Sequence, residues 1–414
     1  MLDLLRQRNY GLLWWSQFVS MIGTWALFAA MPFYVYTLTG SIASTGAMFM
    51  VTFLPPLLLG AFAGVFVDRW DRQRTMIGAN LIRAGLLLLL VGVRSAETVW
   101  IVYVVGFFLA CADQFFGPAN NALLPRLVGK ERLLTANALD TLGENTARLI
   151  GPAIGGALLS WPGLYSVAVF EAIGMLAAAF LIGLIVVPED DEEKTVPAAR
   201  TALHAFWEEL TGGLRLVWQR APLRRSFVIF GIALLGDSIL TVMLAPFVEE
   251  VIGAGAAAFG LVLTARGIGG ILGGFIVGRI GAHVHTGRMI AVGLLCTGAG
   301  MTVIVLFPAL PVLLACVIAV GIPAIAFLSG HQTWLQSHTP DIYRGRVFGA
   351  FGMTNALMLL MGTAFASSVG EELGIVPSLG LVVLLDLIAG LTALWLLRDP
   401  LPAPISNQQA DLAQ

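Results

Sequence analysis

The chain has 414 residues, of which 58% are hydrophobic and 12% charged, and its formal net charge is −2 at neutral pH. An ordinary soluble domain carries about 25% charged residues, so most of this chain is dissolved in lipid, and with no basic tail a nucleic-acid partner is excluded. Cys111, Cys296 and Cys316 all fall inside apolar runs, which argues against disulfides and cysteine metal sites.

Arg6 and Arg8 precede a long apolar run with no small-residue cleavage site, so that run reads as a first membrane span rather than a signal peptide. Runs of about 20 apolar residues, the length that crosses a bilayer, can be placed twelve times. They are 10–37, 43–67, 75–94, 98–121, 137–160 and 164–187, then 224–248, 256–280, 288–307, 311–332, 346–369 and 376–397. If both termini lie on one side, 19 of the 23 Lys and Arg residues share that side, and Arg94 alone lies opposite. The positive-inside bias then places both termini in the cytoplasm. Arg83, Arg148 and Arg266 remain within spans.

Between the second and third spans lies Gly64-Val-Phe-Val-Asp68-Arg69-Trp-Asp71-Arg72-Gln-Arg74, with five charged residues in seven positions. A charge at the bilayer centre costs about 2.5–3.5 kcal/mol on insertion scales, so this string is a tight turn at a membrane surface. The fifth span contains Arg148-Leu-Ile-Gly151-Pro152-Ala-Ile-Gly155-Gly156. Gly155 and Gly156 allow close helix approach, and Pro152 removes a backbone donor and bends the span. The stretch 188–223 opens with an acidic run and continues with Phe206, Leu210, Leu214 and Val217 at helical spacing. It reads as a cytoplasmic linker with an amphipathic helix on the inner leaflet. It separates an N-terminal six-helix bundle, 1–187, from a C-terminal bundle and short tail, 224–414. An internal repeat supports the division: Gly64-x3-Asp68-Arg69 is echoed by Gly274-x3-Gly278-Arg279, and Asn137-Ala-Leu by Asn355-Ala-Leu.

These strings carry a resemblance. The 64–74 loop resembles the signature loop of the major facilitator superfamily, and the Gly-Pro-x-x-Gly-Gly run at 151–156 is similar to the motif of its drug:proton antiporter branch. The loops at 124–132 and 344–349 are similar to those of bacterial macrolide, tetracycline and siderophore exporters. The resemblance implies an all-α membrane protein of twelve helices in two pseudo-symmetric six-helix bundles, cycling by alternating access. Gly64, Asp68, Arg69, Arg72 and Arg74 are expected to form a gate: the cytoplasmic N-terminus of the eleventh span presents partial positive charge, on which Asp68 would dock in the outward-open state. One departure stands out: the fourth span, with Asp113 and Gln114, has no arginine where that branch often has one. Proton coupling therefore either falls to an acidic residue or is absent.

Ionisable groups inside a membrane are the best pointers to mechanism. Arg83, Asp113, Glu144 and Arg148 are expected to form one polar network in the N-terminal half, Glu144 and Arg148 being four apart in acid-first order. Asp237 and Arg266 lie at matching depth on consecutive spans. Either they pair, or Asp237 titrates and carries the proton. The order of expectation for the coupling acid is Asp237, then Asp113, with Glu144 in the same network. Glu171 and Asp386 fall on spans that the resemblance makes peripheral. Gln17, Trp25, Phe33, Asn355 and Met358 are expected to line an apolar substrate cavity with few polar handles. His283 and His285 sit on a solvated turn, no metal or cofactor is implied, and no phosphate loop or catalytic triad is present.

The expected function is export of hydrophobic or amphipathic small molecules across a bacterial-type cytoplasmic membrane by proton antiport. The partners would be substrate, protons and the lipid bilayer, and the protein a monomer rather than an enzyme. One alternative is a dedicated exporter of a siderophore or lipid-like metabolite. Another is a non-transporting receptor or scaffold, which would need neither Asp68 and Arg69 nor the glycine motif.

Overall fold

The computed structural model describes residues 2–187, apart from 68 and 162, and residues 211–397. Among these residues every regular element is helical, and twelve helices are long. In the first half they are α1 (Arg8–Thr39), α2 (Ile42–Val67), α3 (Arg72–Leu89), α4 (Trp100–Val128), α5 (Leu133–Ser160) and α6 (Leu164–Gly183). In the second they are α7 (Ala221–Pro246), α8 (Ala256–Ile280), α9 (Thr286–Leu306), α10 (Leu310–His338), α11 (Arg344–Leu373) and α12 (Ile375–Leu396). Eleven contain a stretch apolar enough to cross a membrane. The exception is α5, where Asp140, Glu144 and Arg148 interrupt the apolar sequence.

Several helices outrun the hydrocarbon. α4 has 29 residues, about 43 Å at 1.5 Å per residue against about 30 Å of hydrocarbon. Apolar runs therefore underestimate the helices at their arginine-rich ends. α4 continues past Pro118 and Pro125 to Val128, and α5 starts at Leu133. Asp113 thus lies at the middle of its helix. The side chains facing outward are apolar, as lipid requires: Phe180, Phe275 and Trp395 are all more than two-thirds exposed.

Within each half the same neighbours recur. α1 packs on α5 and α6 as α7 packs on α11 and α12, and α3 sits beside α4 and α6 as α9 sits beside α10 and α12. The halves meet through two equivalent pairs, α2 with α11 and α5 with α8, which exchange under the twofold that relates the halves. The glycine motif of α5 serves both levels. A Cβ on Gly151 or Gly155 would strike Trp25 or the Ala26 backbone of α1, whereas one on Gly156 would strike Ala256 and Gly260 of α8. No side chain fits at these crossings, so glycine sets the interhelical distance.

The described contacts between halves lie from mid-membrane to the arginine-poor end. Phe33 of α1 and Phe259 of α8 have ring centroids 5.4 Å apart. The Thr264 hydroxyl donates to the Leu149 carbonyl at 3.0 Å. At the arginine-poor surface, Glu371 at the end of α11 accepts from the Ser41 hydroxyl at 2.5 Å and from the Ala43 N–H at 3.2 Å. It thereby caps the first turn of α2. Toward the other surface, Gly274 and Gly278 of α8 and Gly345, Gly349 and Gly352 of α11 have open space where a Cβ would sit. With the described contacts between halves lying toward the other end, the halves part toward the arginine-rich face, and the space between them there is called the vestibule.

The linker corrects one expectation. Its acidic run, Phe206 and Leu210 lie outside the described residues, and residues 211–219 are helical. Leu214 and Val217 of that helix pack with Leu223, Phe227 and Val347 rather than with lipid. Apolar spacing shows that a face is buried, but not against what.

Candidate functional site: charged pairs around the central vestibule

Two ion pairs reach the vestibule wall. In the second half, Arg266 of α8 donates from Nη2 to Asp237 Oδ1 of α7 at 2.7 Å, and the two side chains are 47% and 44% exposed. In the first half, Arg83 of α3 stands 3.1 Å from Asp113 of α4, with the arginine buried at 7% and the aspartate at 45%. Asp237 and Arg266 are thus paired in this structure, and the pairing itself says nothing against protonation of Asp237.

The expected four-membered network divides. The Arg148 guanidinium lies 4.9 Å over the ring of Trp25, a cation–π contact, within electrostatic reach of Glu144, Asp237 and Arg266. Arg83 instead donates from Nη2 to the Thr24 hydroxyl at 3.3 Å, and Thr24 donates to Glu171 Oε1 of α6 at 3.2 Å. Thr24 and Trp25 are successive residues, about 100° apart around α1. That helix stands between the two arginines and sends one toward α6 and the other toward α8.

The remaining expected residues scatter. Gln17 is 6% exposed and makes a reciprocal amide pair with Asn120 at 3.1 and 3.2 Å. Phe33 is buried at the interface between halves. Trp25, Asn355 and Met358 are half-buried, and the Met358 carbonyl accepts from Ser238. A narrow cleft between α1 and α5 is lined by Trp14, Gln17, Phe18, Met21, Asp140 and Gly143. Trp14 stacks on Phe18 at 5.1 Å, and the Tyr10 hydroxyl donates to Asp140 at 3.2 Å.

In the signature loop, Asp71 caps α3 by accepting from the Arg74 N–H at 2.7 Å. Arg72 donates from Nη1 to the Ala122 carbonyl at 3.1 Å, tying α3 to α4, and the Arg69 N–H donates to the Phe66 carbonyl at 3.0 Å. Asp68 lies outside the described residues, as does the setting of Gly64. Among the described residues, no group of three His, Cys, Asp or Glu side chains is gathered as metal ligands.

Three polar groups escaped the sequence reading of the site. Glu171 is 2% exposed and Asp386 of α12 is 5% exposed, in equivalent places: Glu171 lies against Gly23 of α1, and Asp386 against Gly236 of α7. His331 of α10 is 1% exposed, bonded to Ser226 at 2.9 Å and stacked on Phe230 at 4.3 Å. A lone acid in a wholly apolar run was the available signal for the carboxyls. Their assignment to peripheral spans hid it.

The fold is two six-helix halves with ion pairs inside the membrane-spanning region, and the family match makes it that of a membrane transporter. The chain belongs to the major facilitator superfamily: the family described as transmembrane secretion effector matches residues 2–411. Macrolide efflux protein A of Streptococcus pyogenes is 26% identical over 374 residues, covering 88% of this chain and 89% of that protein. Enterobactin exporter EntS of Citrobacter koseri is 26% identical over 411 residues, covering 94% and 93%. Among solved structures, a bacterial homologue of the iron transporter ferroportin in an inward-facing state superposes with a TM-score of 0.75 at 16% identity, covering 96% of this chain and 100% of that one. That likeness is one of fold.

Proposed function

We propose that this protein exports hydrophobic or amphipathic small molecules from the cytoplasm by proton antiport, its halves 1–187 and 224–414 rocking as units. The reading places it in a bacterial cytoplasmic membrane as a monomer with both termini inside, so the vestibule opens to the cytoplasm. The observation that carries it is the Asp237–Arg266 pair, half-exposed on the vestibule wall in a membrane-spanning chain. An acid held by an arginine at 2.7 Å is a proton acceptor whose protonation breaks an ion pair, which is how a bound proton changes the stability of one conformation. Asp113 with Arg83 offers a second such pair, and Glu144 stands near Arg148 on the same wall. Asp68, Arg69, Arg72 and Arg74 would gate the cytoplasmic side in the outward-open state.

A narrower reading, a dedicated siderophore exporter, is supported by the near full-length likeness to the enterobactin exporter. The test is export from proteoliposomes under an imposed pH gradient, with a macrolide and enterobactin as parallel probes. Asp237→Asn is expected to lose gradient-driven export while keeping downhill exchange. Wild-type transport indifferent to the gradient would sink the antiport reading, and transport of enterobactin alone would select the narrower one.

A further inference from the structure

We propose that Glu171 is the proton-holding partner of Asp113, the two carboxyls sharing one proton under the control of Arg83. The inference rests on the proton-antiport reading and adds to it a residue outside the vestibule wall.

Four side chains form a continuous line from the vestibule into the first half: Asp113, Arg83, Thr24 and Glu171, linked at 3.1, 3.3 and 3.2 Å. Its outer end is open, the Asp113 side chain being 45% exposed, and its inner end is closed, Glu171 being 2% exposed. The line contains two carboxyls and one guanidinium. A buried charge without a partner is among the costliest arrangements in a membrane. One arginine supports one dry carboxylate, so a buried carboxyl that lacks it must hold a proton.

Here Arg83 sits on Asp113, which assigns the proton to Glu171. The local geometry agrees. Glu171 Oε2 is buried with no hydrogen-bond partner among the described residues, and Oε1 has only the Thr24 hydroxyl. A bare oxygen costs far less on a neutral carboxyl than on a carboxylate. Arg83 Nε is likewise buried and unpartnered, so the guanidinium has a donor in reserve for a second arrangement. The charged groups acting on Glu171 are Arg83 of α3 and Asp113 of α4, while α1 presents Thr24 and Gly23. Arg148 of α5 interacts electrostatically with Glu144, Asp237 and Arg266 instead. α3 also presents Asn80, fully buried with both amide atoms unpartnered.

The step moves one proton and no electrons. Glu171 gives up its proton and becomes a carboxylate, Asp113 takes that proton and becomes neutral, and Arg83 turns from Asp113 toward Thr24 and Glu171. Asp113 then exchanges its proton with water of the vestibule. Glu171 stores the proton out of water, and Asp113 is where it is loaded and released.

The test combines transport with infrared spectroscopy of the full-length protein in liposomes. Glu171→Gln is expected to reduce gradient-driven export to the downhill rate and to remove a protonated-carboxyl C=O band present in the wild type. The decisive variant is Asp113→Asn, which leaves Glu171 untouched. With its rival carboxyl gone, Glu171 takes Arg83 and ionises, so the same band disappears. A purely structural Glu171 would not respond that way. Persistence of the band in Asp113→Asn, or wild-type gradient-driven export by Glu171→Gln, overturns the proposal. Should Glu171→Gln fail to fold, Thr24→Val removes the link while keeping every charge. Slowed gradient-driven export supports the relay, and an unchanged rate overturns it. A wild type indifferent to the gradient would instead overturn the antiport reading, which the band in Asp113→Asn does not depend on.

Discussion

Asp237 and Arg266 are nearly half exposed to the vestibule while 2.7 Å apart, so water and partner together make their charges tolerable at mid-membrane. Removing one leaves the other with water alone, in a setting where a lone charge costs up to about 2.5–3.5 kcal/mol on insertion scales. Arg266→Gln is therefore expected to lower the melting midpoint in detergent by several degrees. Adding Asp237→Asn should restore most of the loss, because the pair is then neutralised together. Equal instability of the single and double variants would show that the two residues are not an energetic unit. That these residues share a depth was legible in the sequence. That Arg83 and Asp113 are joined through Thr24 to Glu171 rather than to Glu144 and Arg148 was not, because it depends on which face of α1 carries Thr24.

Pro152 and the glycines of α5 work at the scale of the element. Gly155 and Gly156 are adjacent in sequence yet face different helices, α1 of the same half and α8 of the other. Overpacking such a contact costs about 1–3 kcal/mol, but the two positions direct that cost differently. Gly155→Val is expected to destabilise the first half itself, seen as a lower melting midpoint. Gly156→Val should penalise only the arrangement in which α5 meets α8. Since about 1.4 kcal/mol is tenfold in a two-state ratio, spin-label distances across the vestibule mouth should shift toward its closed form in Gly156→Val and stay unchanged in Gly155→Val. Identical behaviour of the two variants would contradict the division of labour. The motif announced close approach. Only the packed helices reveal that one glycine sets a half's shape and its neighbour the meeting of halves.

For the whole molecule the question is what holds the arginine-poor end shut. Alongside apolar contacts such as Phe33 with Phe259 and a hydrogen bond between Tyr36 and Glu250, a polar clasp spans the halves: Glu371 on the first turn of α2. The carboxylate faces the positive end of a helix dipole, an interaction of about 0.3–1 kcal/mol when exposed. Glu371→Ala should therefore shift the two-state ratio up to about fivefold toward opening at that end, without unfolding the protein. Cross-linking of cysteines placed in α2 and α11 near this clasp would report it, and an unchanged cross-linking rate would remove Glu371 from the gate. The same helix-end chemistry was expected of Asp68 at the opposite surface.

Membrane residence, the helical class, the placing of the long helices and the six-plus-six repeat were determined by the sequence alone. Each is a local or periodic property: twenty apolar residues need no partner to prefer lipid, and a repeated glycine or asparagine is visible without folding. The tertiary structure alone decided which charges pair, which glycine faces which half, and that Glu171 is joined through Thr24 and Arg83 to the vestibule. Those outcomes depend on helix rotation, and about 100° per residue is enough to send neighbouring side chains to different partners. Hydropathy averages over rotation, and in a membrane every face of a helix reads as apolar whether lipid or protein covers it.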